Sequence, residues 1–170
     1  MVVGGASLSL LGLVPRATRD VDVIARVDTV SSNADPETEI RLIEPDPLPE
    51  PLAKAIETVA RDFRLPSNWM NTEVALQWRM GLPPSLKEEI SWRQYGALGV
   101  GLVGRRSMIA LKLFAAVDGG PGGVHYQDLS ALGPTDAELD EAAEWVVTQD
   151  VSPDFKQMVS QVVERVKQER

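Results

Sequence analysis

Asp20 and Asp22 flank a single valine at the start of Val21–Val27, a β-branched run that reads as a strand. Residues i and i+2 of a strand share a face, with Cα atoms about 6–7 Å apart. Two carboxylates so placed repel each other, and burying them without a partner is costly. A divalent cation relieves both problems. Oxygen ligands on a short rigid element suit Mg²⁺, which is held by one or two carboxylates and leaves positions for water and phosphate. The competing reading is a strand end with two solvated aspartates, neutralised by Arg16 and Arg19.

Upstream, Gly4-Gly5 joins a short strand to a short helix. Glycines there let a phosphate approach the backbone, and a helix N-terminus offers free N–H groups. Ser7 adds a hydroxyl. Taken alone, the diglycine is equally a tight turn. Far downstream, Lys112 is the one polar residue in the helical run Met108–Val117. A lysine in so apolar a helix either snorkels outward or meets an anion. Asp128 follows a glycine-rich loop and reads in isolation as the N-cap of a helix from Leu129. His125, the single histidine, reads as a loop residue.

The stretch GGASLSLLGLVPRATRDVDVI resembles the signature of nucleotidyltransferase-fold proteins, in which a G-G or G-S turn and a short helix precede R-x-T-x-D-x-D. It is most similar to bacterial proteins related to abortive-infection nucleotidyltransferase toxins. Leu65–Asn71 (LPSNWMN) resembles that group's L-P-x-x-W-L-N element, and SMIALKLFAAVDGG with HYQDL resembles its L-A-x-K-L-x-A and later D-[LIV] motif. The resemblance implies Mg²⁺ on Asp20 and Asp22, and a nucleoside triphosphate held by Gly4, Gly5, Ser7, Arg16 and Thr18. It also implies that Lys112 faces the triphosphate or leaving pyrophosphate, and that Asp128 serves as a third carboxylate or a general base. Implied acceptors are hydroxyls of tRNA, protein or a small molecule, and a neighbouring antitoxin is an implied partner. The alternative on the same fold is a catalytically inactive nucleotide-binding or protein-interaction module. A third metal-binding acid is not secured by a motif; Glu39 and Glu44 are candidates. Related sequences carry a helix before the diglycine strand, so an uncovered apolar face and self-association are further expectations.

These groups need elements to hold them. Met1–Val3, Val21–Val27 and Glu39–Glu44 read as strands, Asp28–Asp35 as a polar loop, and Ala6–Leu13 as a short helix. Leu52, Ile56, Val59, Ala60 and Phe63 recur at helical spacing across Leu52–Leu65. Trp69 reads as a core anchor, and Asn71 or Thr72 as the cap of a helix near Thr72–Met80. Ile90–Val103 contains strand material, Ser107 would cap the helix to Val117, and helices near Thr135–Gln149 and Ser152–Gln168 close the chain. The expected fold class is α+β: a small mixed-sheet core over residues 1–106, with a helical part over 107–170 packed on it.

Composition narrows the classes further. The chain has 170 residues, 44% of them hydrophobic, enough for one well-cored unit. It lacks cysteine, which removes disulfides and thiol catalysis, and a single histidine argues against a histidine-built metal site. A net charge of -8 argues against a general nucleic-acid coat. There is no apolar run of membrane-spanning length, so no membrane partner is expected. Val2–Val14 lacks the basic flank and cleavage context of a signal peptide, which leads us to expect a cytoplasmic protein.

Overall fold

The computed structural model describes residues 1–15, 17–30 and 39–170. β1 (Val2–Val3) runs directly into α1 (Gly4–Leu10), followed by β2 (Val21–Val23), β3 (Arg26–Val30) and β4 (Glu39–Ile43). Then come α2 (Glu50–Phe63), β5 (Met70–Asn71), a 3₁₀ turn (Glu73–Ala75) and α3 (Leu76–Met80). A second 3₁₀ turn (Pro84–Lys87) leads to β6 (Ile90–Tyr95) and β7 (Leu98–Val103). The chain closes with α4 (Arg105–Gly119), α5 (Val124–Leu132), α6 (Asp136–Val146) and α7 (Pro153–Gln168). The class is α+β, with the helices mostly in the C-terminal half.

The main sheet is mixed, in the order β5-β2-β1-β7-β6. β1 pairs antiparallel with β2 and parallel with β7, and β2 pairs parallel with β5. Val3 is opposite Asp22, and Asp22 is opposite Asn71. Cross-strand partners share a face, so the register gathers an apolar, an acidic and an amide side chain on one side of the sheet. β3 and β4 form a separate antiparallel hairpin.

The expected strand Val21–Val27 is therefore two strands in two sheets. The break falls at Ile24 and Ala25, both fully buried. A β-branched run signals extended backbone but not which neighbour it pairs with, so the change of sheet is not legible in it. β3 also continues through Asp28 to Val30, where a loop was expected; backbone pairing to β4 supplies the order that the polar side chains do not suggest.

The main core fills the side of the sheet occupied by Val3, together with Leu8, Ile24, Leu113 and Leu129. A smaller cluster of Val2, Ala6 and Leu102 seats α1 against the other face. α4 is apolar almost all round, as a helix enclosed by neighbours must be, and it contacts α1, α5, α6 and α7.

Its N-terminus differs from expectation. α4 begins at Arg105, and Ser107 lies inside the first turn with its buried hydroxyl 2.8 Å from that of Ser85. Glu89 serves the helix end instead, its Oε2 accepting from the Arg106 N–H at 3.0 Å. Asp128 lies within α5 and does not begin a helix at Leu129. Thr135 and Ser152 cap α6 and α7 as their side chains suggest, Thr135 in a reciprocal capping box with Glu138.

Candidate functional site

Asp22 sits on β2, bracketed by β1 and β5. Its Oδ2 lies against Gly4, the first residue of α1, where φ is +69°. A Cβ at Gly4 would overlap that oxygen. Glycine suits the position twice, through the left-handed backbone and through the close approach of the carboxylate, whose end would have to swing aside for a Cβ. The other carboxylate oxygen, Oδ1, accepts from Asn71 Nδ2 at 3.3 Å.

Burial raises the Asp22 pKa above the ordinary 3.8, and the Asp20 charge adds to the rise. The Asn71 hydrogen bond and the positive charge of Lys112 oppose it, while Glu73 adds a further push upward. Asp20 itself is exposed, and its Oδ1 accepts from the Thr18 hydroxyl at 3.0 Å. The two aspartates therefore feel each other's charge, one half-buried and one open to water.

Lys112 resolves the choice between snorkelling and burial. Its side chain is 6% exposed and that of Asp128 is 2%, with Nζ and Oδ2 2.8 Å apart. His125 Nδ1 lies 3.5 Å from the same Nζ. His125 belongs to the first turn of α5, not to a loop.

One cavity of about 350 Å³ joins several of these parts, but Asp20, just outside β2, does not line it. Gly4, Asp22, Lys112 and His125 line it beside Met108 and Phe114. Asp128, expected as a third carboxylate or general base, is not on this wall. It is buried against Lys112 and fixes where that lysine points.

The remaining expected ligands are placed differently. Gly5 is buried in the first turn of α1. Ser7 is fully buried and donates its hydroxyl to the Val103 carbonyl at 3.0 Å, tying α1 to β7. Thr18 hydrogen-bonds to Asp20 and does not line the cavity. Arg16 lies outside the described residues, as does the side chain of Glu39. Glu44 pairs with Arg79 at 3.5 Å. Among the described residues no group of three or more His, Asp or Glu has an arrangement able to hold a metal ion.

Two participants carry only weak signals in the sequence. Asn71 reads in sequence either as a helix cap or as a functional residue, and in the fold its Oδ1 accepts from the Glu73 N–H at 2.9 Å, one residue before the cap position at Thr72. Its contact with Asp22 depends on the pairing of β2 with β5, for which the chain carries no local signal. For His125, the glycines before it point to an irregular segment and hide its place in α5. Trp69, expected as a core anchor, is half-buried and outside both core clusters; its indole N–H instead donates to the Ile56 carbonyl at 3.1 Å, fastening α2 to the segment entering β5.

Compared with protein-family models, curated proteins and solved structures, the chain gives no significant match to any. No helix among the described residues is long and apolar enough to cross a membrane.

Proposed function

We propose that the chain is a Mg²⁺-dependent nucleotidyltransferase, moving a nucleotide from a nucleoside triphosphate to a hydroxyl on RNA, protein or a small molecule. One observation carries the reading: the Asp22 carboxylate, set against Gly4, shares a cavity wall with the buried Lys112. The resemblance of the N-terminal segment to nucleotidyltransferase-fold sequences agrees with it.

The donor set suits the metal. Asp22 is half-buried, and its neighbours Asp20 and Glu73 both disfavour its charge. Such a group gains by meeting a cation. Asp20 and Asp22 would hold Mg²⁺, a hard ion served by one or two carboxylates with water completing its shell. Bound there, Mg²⁺ supplies Lewis-acid stabilisation of phosphoryl oxygens.

The chain's own residues do the rest. Lys112 presents positive charge to the phosphates, held in place by Asp128. A fixed charge in a partly desolvated cavity stabilises charge developing on the leaving group more than a mobile one in water does. Gly4 keeps the wall beside Asp22 clear of side-chain atoms. The apolar wall around Met108 and Phe114 gives a base or apolar acceptor group a surface to lie on. In the transfer, the acceptor hydroxyl gives its proton to solvent water, its oxygen bonds to the α-phosphorus, and the bond to the bridging oxygen breaks to release pyrophosphate.

A second reading is a nucleotide-binding module without turnover. It is favoured by a neutral amide, Asn71, at the position opposite Asp22 on β5, where a third carboxylate would complete the acid set.

The test is incubation with each nucleoside triphosphate, radiolabelled at the α-phosphate, with Mg²⁺ and total RNA or lysate. Label is expected on an acceptor with the unaltered chain and lost with Asp20→Ala and Asp22→Ala. Undiminished label in both variants overturns the metal role; Mg²⁺-dependent nucleotide binding without label supports the module.

A further inference from the structure

We infer that Asn71 is a positioning residue that orients the Asp22 carboxylate for its cation, an inference that rests on the metal reading proposed above. Asn71 lies opposite Asp22 in the parallel pairing of β2 with β5. Its side chain is held at both ends. Oδ1 accepts from the Glu73 backbone N–H at 2.9 Å, and Nδ2 donates to Asp22 Oδ1 at 3.3 Å.

The orientation of the amide follows from chemistry. A backbone N–H can only donate, so the Asn71 carbonyl oxygen must face Glu73. The NH₂ group is thereby turned toward Asp22, whose Oδ1 accepts from it. The amide is thus aimed by the 3₁₀ turn that follows it.

Asp22 is consequently engaged at one oxygen and lies close to Gly4 with the other. Oδ1 is engaged by Asn71, and Oδ2 occupies the space that the missing Cβ of Gly4 leaves open. Asp22 lines the cavity and Asn71 does not. This is the relation of a ligand to the residue that orients it, and loss of such a partner commonly lowers metal affinity 10–100-fold.

The experiment uses the full chain with Mn²⁺ alone, a paramagnetic stand-in for Mg²⁺ whose binding is read by water-proton relaxation. Asn71→Ser keeps a hydroxyl able to accept from the Glu73 N–H, a weaker form of the same turn, and removes the nitrogen that reaches Asp22. Its Mn²⁺ affinity is expected to fall about tenfold, with Asp22→Asn losing binding altogether. Asn71→Asp keeps the turn acceptor and sets a second carboxylate against Asp22. Its melting temperature without metal is expected to fall below that of the unaltered chain, and Mn²⁺ is expected to raise it by more.

Unchanged Mn²⁺ affinity in Asn71→Ser overturns the inference while leaving the metal site standing. If Asn71→Ser does not fold, equal metal-induced shifts in Asn71→Asp and the unaltered chain overturn it instead. No Mn²⁺ binding by the unaltered chain overturns the metal reading itself, and the inference with it.

Discussion

Lys112 and Asp128 form an ion pair of 2.8 Å in which both side chains are almost wholly removed from water. Taking two charges out of water costs several kcal/mol per ion, and the pair recovers this only while both members are present. Lys112→Met or Asp128→Leu alone is therefore expected to cost about 3–5 kcal/mol, since each breaks a buried ion pair by removing one member. The double variant is expected to recover most of that loss. Denaturant unfolding of the four proteins measures the coupling. Equal and additive losses would show that the pair is not energetically linked.

Gly4 makes a different demand. Gly4→Ala places a side chain in left-handed backbone, a strain of about 1–3 kcal/mol, and drives its Cβ into Asp22 Oδ2. The strain is local to the backbone, whereas the collision depends on the aspartate. Combining Gly4→Ala with Asp22→Gly is expected to remove the collision and leave the strain. A thermal-melt cycle of the two changes separates the contributions; a zero coupling term sinks the predicted contact.

The raised pKa of Asp22 sets the sign of a pH effect. Burial, with the Asp20 charge next, makes the folded chain bind this proton more tightly than the unfolded chain does. Folded-state stability from this group is therefore greatest at low pH and declines as pH rises past 3.8 through the higher folded value. In metal-free buffer at neutral pH, Asp22→Asn is expected to be more stable than the unaltered chain, with the advantage vanishing in acid. Adding Mg²⁺ is expected to stabilise the unaltered chain and leave the variant unmoved. Melting temperatures across pH, with and without the ion, test both signs.

Glu138 behaves in the opposite way. The hydrogen bond from Arg105 is the chief cause, and with the N–H and hydroxyl of Thr135 it outweighs desolvation, lowering this carboxyl from 4.5 to about 2. Arg105 Nε donates to Glu138 Oε1 at 2.8 Å while Nη1 donates to the Leu132 carbonyl at 2.8 Å, so one guanidinium joins α4, α5 and α6. The stabilisation is fully present above pH 4.5 and is lost as pH falls toward about 2. With both side chains partly open to solvent, Glu138→Gln is expected to cost only about 1 kcal/mol at neutral pH. Acid unfolding of the variant is expected to be flatter between these values than that of the unaltered chain.

Local features of the site and fold were readable where local chemistry determines them. Thr135 and Ser152 have oxygens that cap the next turn, and each does. The proline at position 153 and the apolar spacing after it mark α7 without reference to the rest of the chain. Long-range partners were not readable. Glu89 caps α4 from a separate segment, and no spacing rule connects it to Arg106. Asn71 meets Asp22 only because two short strands pair across an intervening helix and hairpin. Lys112 was recognisable as an anomaly in an apolar helix, but its partner Asp128 was not, because the glycine turn between α4 and α5 sets the register of the two helices. Ser7 shows the converse: a hydroxyl close to a diglycine suggests a phosphate ligand, yet burial of α1 commits it to the Val103 carbonyl.

α4 carries Lys112 to the cavity while packing against α1 and the three helices that follow. The cationic wall is thus built on a helix that the bundle shares. Heat or denaturant that loosens the bundle withdraws the lysine from the acidic strand in the same event. Emission from Trp145 on α6 and occupancy of the cavity should then decline along a single curve, so that ligand loss reports the state of the distant helices.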